Sequence, residues 1–315
     1  MAEREASSRL LREIFLAGFM SGLPAENAQW ASARLARKMS DVRLAAGEVL
    51  YRRDEPTDAH YFIVSGAIRL EAEGKAPWVL AERSLVGTLD ITLERPRART
   101  AVAARDSFLL RMPASDWMDM LEDNFELTLR ALHGLSEGVQ RLRLDLPGFP
   151  SDADPPAARP ASHARPVPTA SLGLVERVFL LKDVGLFAGA EIQSLTNLAE
   201  LAEEVSCAAG EVLDPERTND ALLVVVSGEV KASHPGSADT PSYGPGRLVF
   251  GPAAAGAKDL GYEAVTTEPA RLLRIAREDY YDVLEEHFGL ARSSLKALAA
   301  ERERLVDEKE RRALA

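Results

Sequence analysis

The strongest constraint on this chain is that it nearly repeats itself. AAGEVL occurs at Ala45–Leu50 and again at Ala208–Leu213, which puts Gly47 and Gly210 163 positions apart. VSG recurs at Val64–Gly66 and Val226–Gly228 with an offset of 162, and LLRM at 109–112 matches LLRI at 272–275 with an offset of 163. Phe15 pairs with Phe179 and Gly87 with Gly251 at 164, and Phe125 pairs with Phe288 at 163. One register held by six landmarks over more than 100 residues is the mark of a duplicated domain. The period far exceeds the roughly 20–50 residues of solenoid repeats, so each copy must fold as a unit with its own core. A chain of 315 residues has room for two such cores.

Between the copies lies PGFPSDADPPAARPASHARPVPTASLG, residues 147–173, whose seven prolines leave little apolar surface to bury. It reads as a Pro-rich linker, with His163 solvated inside it. The expected organisation is a first domain over 1–146, the linker over 147–173 and a second domain over 174–315.

Within a copy the hydrophobic period changes twice. Helical spacing opens each one: Leu10, Ile14 and Ala17 share a face in the first, and Val175, Val178 and Phe179 in the second. A second short helix follows in AENAQWASARLARKM and in AEIQSLTNLAELAEEV. After AAGEVL come short β-rich runs interrupted by glycine, YFIVSGAIRLEAEG and ALLVVVSGEVKASHPG, which suggest an antiparallel barrel or sandwich. Each copy then closes with a long helix, striped by Trp117, Leu121, Phe125, Leu129, Leu132, Leu135, Val139 and Leu142 in the first. Leu284, Phe288, Ala291, Leu295, Leu298 and Leu305 stripe the second, and the charged end AERERLVDEKERRALA reads as a solvated helix.

Composition narrows the function. The formal net charge is −11, which argues against nucleic acid as the main partner, because phosphate contacts need clustered Lys and Arg. The single cysteine, Cys207, forbids an internal disulfide and suits a reducing, cytoplasmic setting; it reads as a buried structural thiol. The first residues, MAEREASSR, lack the apolar region of a secretory signal, and no apolar run reaches the ~18 residues of a membrane span. His60, His133, His163, His234 and His287 are widely separated without metal-ligand spacing, and no nucleophile elbow, P-loop or dinucleotide fingerprint occurs. No enzyme is expected.

The framework AAGEVLYRRDEPTDAHYFIVSGAIRL followed by VGTLDITLERPRA resembles the cyclic nucleotide-binding domain family. That family includes the bacterial catabolite-activator-type regulators and the tandem regulatory subunit of cyclic-AMP-dependent protein kinase. The resemblance implies a mainly β fold with flanking helices: two tandem β-rolls (jelly-roll-like barrels), each closed by a long C-terminal helix. In the family a loop reading Phe-Gly-Glu-Leu-Ala-Leu, then Pro-Arg-(Ala/Ser), wraps the cyclic phosphate and ribose. The glycine allows close backbone approach, and the arginine gives charge-assisted hydrogen bonds to phosphate.

Laid on this chain without gaps, Gly87 takes the glycine position and Arg97, after Pro96, the phosphate arginine. The resemblance assigns ligand contacts to Gly87, Thr88, Leu89, Arg97, Ala98 and Arg99. Thr88 stands where the ribose glutamate belongs, and losing that charged hydrogen bond costs about 1.5–3 kcal/mol, or roughly ten- to a hundredfold in affinity. Asp90 adds like-charge repulsion if it faces the phosphate. Two readings of Arg97 stay open, a phosphate anchor or a structural arginine paired with a nearby carboxylate such as Glu94, and Arg99 is either a second cation on the same face or a surface residue. In the second copy Gly251 persists, Pro252 replaces the glutamate, the arginine position falls at Gly261 and Lys258 is the nearby cation. No cyclic nucleotide is expected there.

Two functions follow. One is a non-enzymatic sensor of cyclic AMP, cyclic GMP or another small anion through the first copy, with no other cofactor. The other is a ligand-independent scaffold or assembly subunit, with a protein partner or a homodimer formed through the closing helices. The 40 residues after Ile275 read as continuous helix, so no helix-turn-helix and no direct DNA contact is expected.

Overall fold

The computed structural model describes residues 12, 32, 33, 35–146, 171–213, 220–236, 240–256 and 261–313. The expected helix of Leu10, Ile14 and Ala17, most of the linker with His163, and Lys258 lie outside the described residues.

The first copy is built from β1 (Ser40–Leu44), β2 (Val49–Tyr51), β3 (Ala59–Glu71), β4 (Trp78–Ala81) and β5 (Leu85–Val86), then helix α1 (Thr88–Thr92) and β6 (Thr100–Pro113). Two further helices follow, α2 (Ala114–Asp123) and α3 (Phe125–Leu144). All strand pairs are antiparallel, in the order β1-β6-β3-β4, with β2 also on β6 and β5 also on β3. Tyr51, Ala59, Tyr61, Ile63, Ile68, Val86, Ala103 and Leu109 form the core of this roll.

The second copy contains α4 (Leu174–Asp183), α5 (Ile192–Leu201), β7 (Glu203–Cys207), β8 (Val212–Leu213), β9 (Ala221–Ser227), β10 (Val230–Ser233) and β11 (Ser242–Tyr243). It continues through β12 (Glu263–Thr266) and β13 (Ala270–Ala276) to α6 (Arg277–Glu286) and α7 (Phe288–Ala313). Two sheets result, β11-β10-β12-β8 and β7-β13-β9. The chain divides into two compact units, one running to Thr128 and the other Leu129–Arg312, so the boundary falls inside α3.

The turn at the heart of the repeat keeps its glutamate and backbone bonds in both copies. Ala45 N–H donates to Glu48 Oε2 and Ala208 N–H to Glu211 Oε2, both at 2.7 Å. Gly47 N–H donates to Ala103 O while Ala103 N–H donates to Glu48 O; Gly210 and Glu211 make the same reciprocal pair with Thr266. AAGEVL is therefore a turn that folds its own glutamate back and clips onto the neighbouring strand. Its glycine holds φ of +87° in one copy and +77° in the other, where a side chain is strained.

The expectation of short strands around glycine fails in the first copy. β3 runs 13 residues straight through Gly66 and β6 runs 14, with register shifts between Ile63 and Ile68 that bend the pair. In the second copy the same ribbon breaks at Gly228 and near Pro269, which has no N–H to give to a ladder. The barrel expectation is also corrected: among the described residues no strand pairing closes either set on itself.

Each closing helix is two helices. Asn124 leaves helical geometry at φ −141°, and its Oδ1 accepts the Leu127 N–H, so it caps α3 afresh. His287 does the equivalent between α6 and α7, its carbonyl accepting from Leu290. The apolar stripe continues through both breaks, with Leu121, Leu132, Val139, Leu284, Leu295, Leu298 and Leu305 all buried within this chain. Trp117, Phe125, Leu129, Leu135, Leu142 and Phe288 of the same stripe are half-buried. In α4 two of the three expected face residues, Val175 and Phe179, are exposed, while Val178 is half-buried and Leu181 is buried.

Candidate functional site

The site in the first copy is organised by one left-handed glycine. Gly87, at φ +84°, turns the chain from β5 into α1, and a methyl group placed on it would lie 2.3 Å from Arg97 Nη1. Only glycine leaves room for that guanidinium. The Arg97 backbone is pinned on both sides, its N–H donating to Glu55 O and its carbonyl accepting from Asp54, both at 2.9 Å.

The Arg97 side chain is turned into the roll and only 1% exposed. Nη1 donates to Gly87 O at 3.2 Å, Nη2 donates to Ala59 O, and the guanidinium carbon sits 4.2 Å from the centre of the Tyr51 ring. Nε is buried without a hydrogen-bond partner. The nearby carboxylate of the structural reading is Asp58, at 3.9 Å, in place of Glu94; Asp58 is 64% exposed and is itself bonded to Arg111 at 2.7 Å. A buried cation held by carbonyls and a ring, with one donor unsatisfied, is a favourable place for an anion to complete the shell.

The other expected residues are placed as follows. The Thr88 hydroxyl lies 3.5 Å from His60 Nδ1, and Leu89 is half-buried in α1. Asp90 is bonded to Arg95 at 2.9 Å, so its charge is met by a neighbouring cation. Ala98 is half-buried, while Arg99 is buried rather than a surface residue, its guanidinium 3.8 Å from the Trp78 ring centre and Nη1 donating to Ala76 O at 3.0 Å. Sequence reading missed Tyr51, His60 and Trp78. Tyr51 is the residue immediately after AAGEVL, and its ring stacks with Tyr61 at 6.1 Å.

His60 is fully buried between Trp117, at 5.0 Å, and Phe62, at 5.3 Å between ring centres. Burial, and then the nearby Arg97 charge, push its imidazole down from 6.5 to about 3. The folded chain therefore keeps His60 neutral where the unfolded chain protonates it. Stability falls as pH drops from 6.5 toward 3, by at most about 1.4 kcal/mol per pH unit, and this contribution is level above 6.5. Urea midpoints between about pH 7 and pH 4.5 should decline less steeply in His60→Phe than in the unsubstituted chain; equal slopes contradict this assignment.

In the second copy Phe250 takes φ +65° and Gly251–Ala255 forms a 3-10 turn beginning Gly-Pro. Gly261, where the arginine position falls by register, also has positive φ. Among the described residues no helix is long and apolar enough to cross a membrane.

Residues 41–124 match the family model described as the cyclic nucleotide-binding domain. Curated relatives include the lysophospholipase nte1 of Aspergillus fumigatus, 31% identical over 106 residues, which are 32% of this chain and 7% of that protein. The neuropathy target esterase sws of Drosophila grimshawi is 35% identical over 77 residues, 23% of this chain and 5% of that protein. The chain thus spans less than a tenth of these curated relatives. Among solved structures, the regulatory domain of Toxoplasma gondii PKA with cAMP is similar at 13% identity and a TM-score of 0.33, covering 91% of this chain and 94% of that one. The regulatory subunit of a cAMP-independent protein kinase A from Trypanosoma cruzi bound to guanosine is similar at 13% identity and a TM-score of 0.33, covering 88% and 85%.

Proposed function

We propose, taking residues 41–124 as a cyclic nucleotide-binding domain, that this chain is a non-enzymatic regulatory protein whose first roll senses a cyclic nucleotide or a similar small anion. The observation that carries this reading is Arg97: a guanidinium 1% exposed, seated against Gly87 and Tyr51, with Nε unpartnered and its carboxylate neighbour, Asp58, 3.9 Å away, exposed and bonded to Arg111. A ring phosphate bonded there would supply a closer counter-charge than Asp58 does. The lysophospholipase and esterase names belong to relatives matched over a short segment, and no catalytic role is taken from them. A cytoplasmic setting fits the lone buried Cys207.

The alternative is a ligand-independent scaffold. It is favoured by the Thr88 hydroxyl facing His60 and by both terminal nitrogens of Arg97 already resting on carbonyl oxygens. Thr88→Glu separates the two. As a sensor, the chain regains a carboxylate for the ribose, and its affinity for cyclic AMP should rise about tenfold or more. As a scaffold, the variant binds no nucleotide. Equilibrium titration of the two chains with cyclic AMP decides between these outcomes.

A further inference from the structure

The second roll repeats the glycine–guanidinium contact with an arginine from elsewhere in the sequence. Arg143, on α3, donates from Nη1 to Phe250 O at 2.8 Å, and a methyl group placed on Gly251 would lie 2.8 Å from Arg143 Nη2. Gly87 meets Arg97 on the corresponding side. In the first copy the carbonyl acceptor is that of the glycine itself; in the second it is one residue earlier. By sequence register the second copy lacks this arginine, yet in space it has one.

Its chemistry differs from that of Arg97. Arg143 is bonded through Nε and Nη2 to Glu301 Oε1 at 3.2 and 2.9 Å, and the Arg143 and Glu301 side chains are 9% and 1% exposed. Arg304 adds two further bonds to the same carboxylate, each at 3.0 Å. This corrects the expectation that the charged end of the last helix is solvated: Glu301 is buried there. The α3 helix is also packed hard against the 3-10 turn, because a methyl group on Gly256 would lie 2.7 Å from Ser136 Oγ and 3.0 Å from Leu132 O.

We infer that the second roll carries its own occupant: the Arg143 guanidinium, delivered by α3 and neutralised by Glu301, fills the position beside Gly251 and closes that roll to anionic ligands. Glu301 both satisfies the cation and repels an incoming phosphate. Gly251 then remains a glycine for the same steric reason as Gly87, although no ligand is bound. The inference does not depend on whether the first roll binds nucleotide.

Two measurements on the full chain test it. The first is a double-mutant cycle in urea between Gly251→Ala and Arg143→Ala. With Arg143 present, Gly251→Ala should raise the unfolding constant at least about tenfold more than in the Arg143→Ala background, where the left-handed backbone strain alone remains. Equal effects in both backgrounds overturn the placement. The second is titration of Arg97→Ala with cyclic AMP, which silences the first roll. No binding is expected, and millimolar or tighter binding that is lost in Arg97→Ala/Arg143→Met would make Arg143 an anion anchor and overturn the occlusion.

Discussion

Gly66→Ala and Gly228→Ala should be among the most destabilising single-methyl additions this chain can receive. A methyl group on Gly66 would lie 2.2 Å from Ser107 Oγ and 2.6 Å from both Asp106 O and Ser107 Cα. On Gly228 it would lie 2.6 Å from Pro269 O and 2.7 Å from Ala270 Cα. Two of the three obstacles at Gly66 are backbone atoms of β6, so a rotamer change cannot clear them. Ser107 is fixed too, because its hydroxyl accepts the Ala67 N–H at 3.1 Å and donates to Arg105 O at 2.7 Å. Added to this is the backbone itself, at φ +100° and +82°, which costs an L-residue about 1–2 kcal/mol even in open space.

The total should reach about 4 kcal/mol or more at each position, a large part of the ~5–15 kcal/mol that keeps a domain folded. Gly47→Ala provides the contrast. It shares the positive φ, at +87°, but nothing lies within 4 Å of the added methyl group. Its cost should be about 1–2 kcal/mol, the conformational part alone. Urea denaturation of the three variants reads both contributions. A Gly66→Ala chain no less stable than Gly47→Ala would show that β3 does not cross β6 this closely.

The same comparison explains what was legible in the sequence. AAGEVL and VSG are visible because a backbone that needs positive φ, or the approach of another strand, leaves glycine as its record. The repeat of that record gave the duplication, its register and the family resemblance together. The helix breaks at Asn124 and His287 were hidden because the apolar stripe keeps its period across them. Glu301 looks solvated in a run of alternating charges until Arg143, 158 positions away, is brought to it. At the site, the motif supplied Gly87 and Arg97. Tyr51 and His60 escaped it because which face of β2 or β3 a residue occupies depends on register and bending, not on residue type. Val175 and Phe179 show the converse, an apolar spacing whose face lies outward.

Arg97 is the residue whose removal should most affect binding. Its guanidinium is held between Gly87 O, Ala59 O and the Tyr51 ring, so little ordering remains to be done when a phosphate arrives. Each charge-assisted hydrogen bond lost is worth about 1.5–3 kcal/mol, so Arg97→Met should weaken cyclic nucleotide binding by at least about a hundredfold. Methionine keeps apolar bulk over Tyr51 and so separates loss of charge from loss of packing. Arg97→Lys should fall between the two, since an ammonium keeps the charge but cannot bridge both carbonyls while lying flat on the ring.

Calorimetric titration of the intact chain with cyclic AMP and cyclic GMP, beside folded Arg97→Met, is the most direct measurement. Saturable heat from at least one nucleotide, absent in the variant, is the predicted result. No heat from either nucleotide at millimolar concentration, or equal heat from the variant, would contradict a guanidinium poised in the first roll for an anionic ligand.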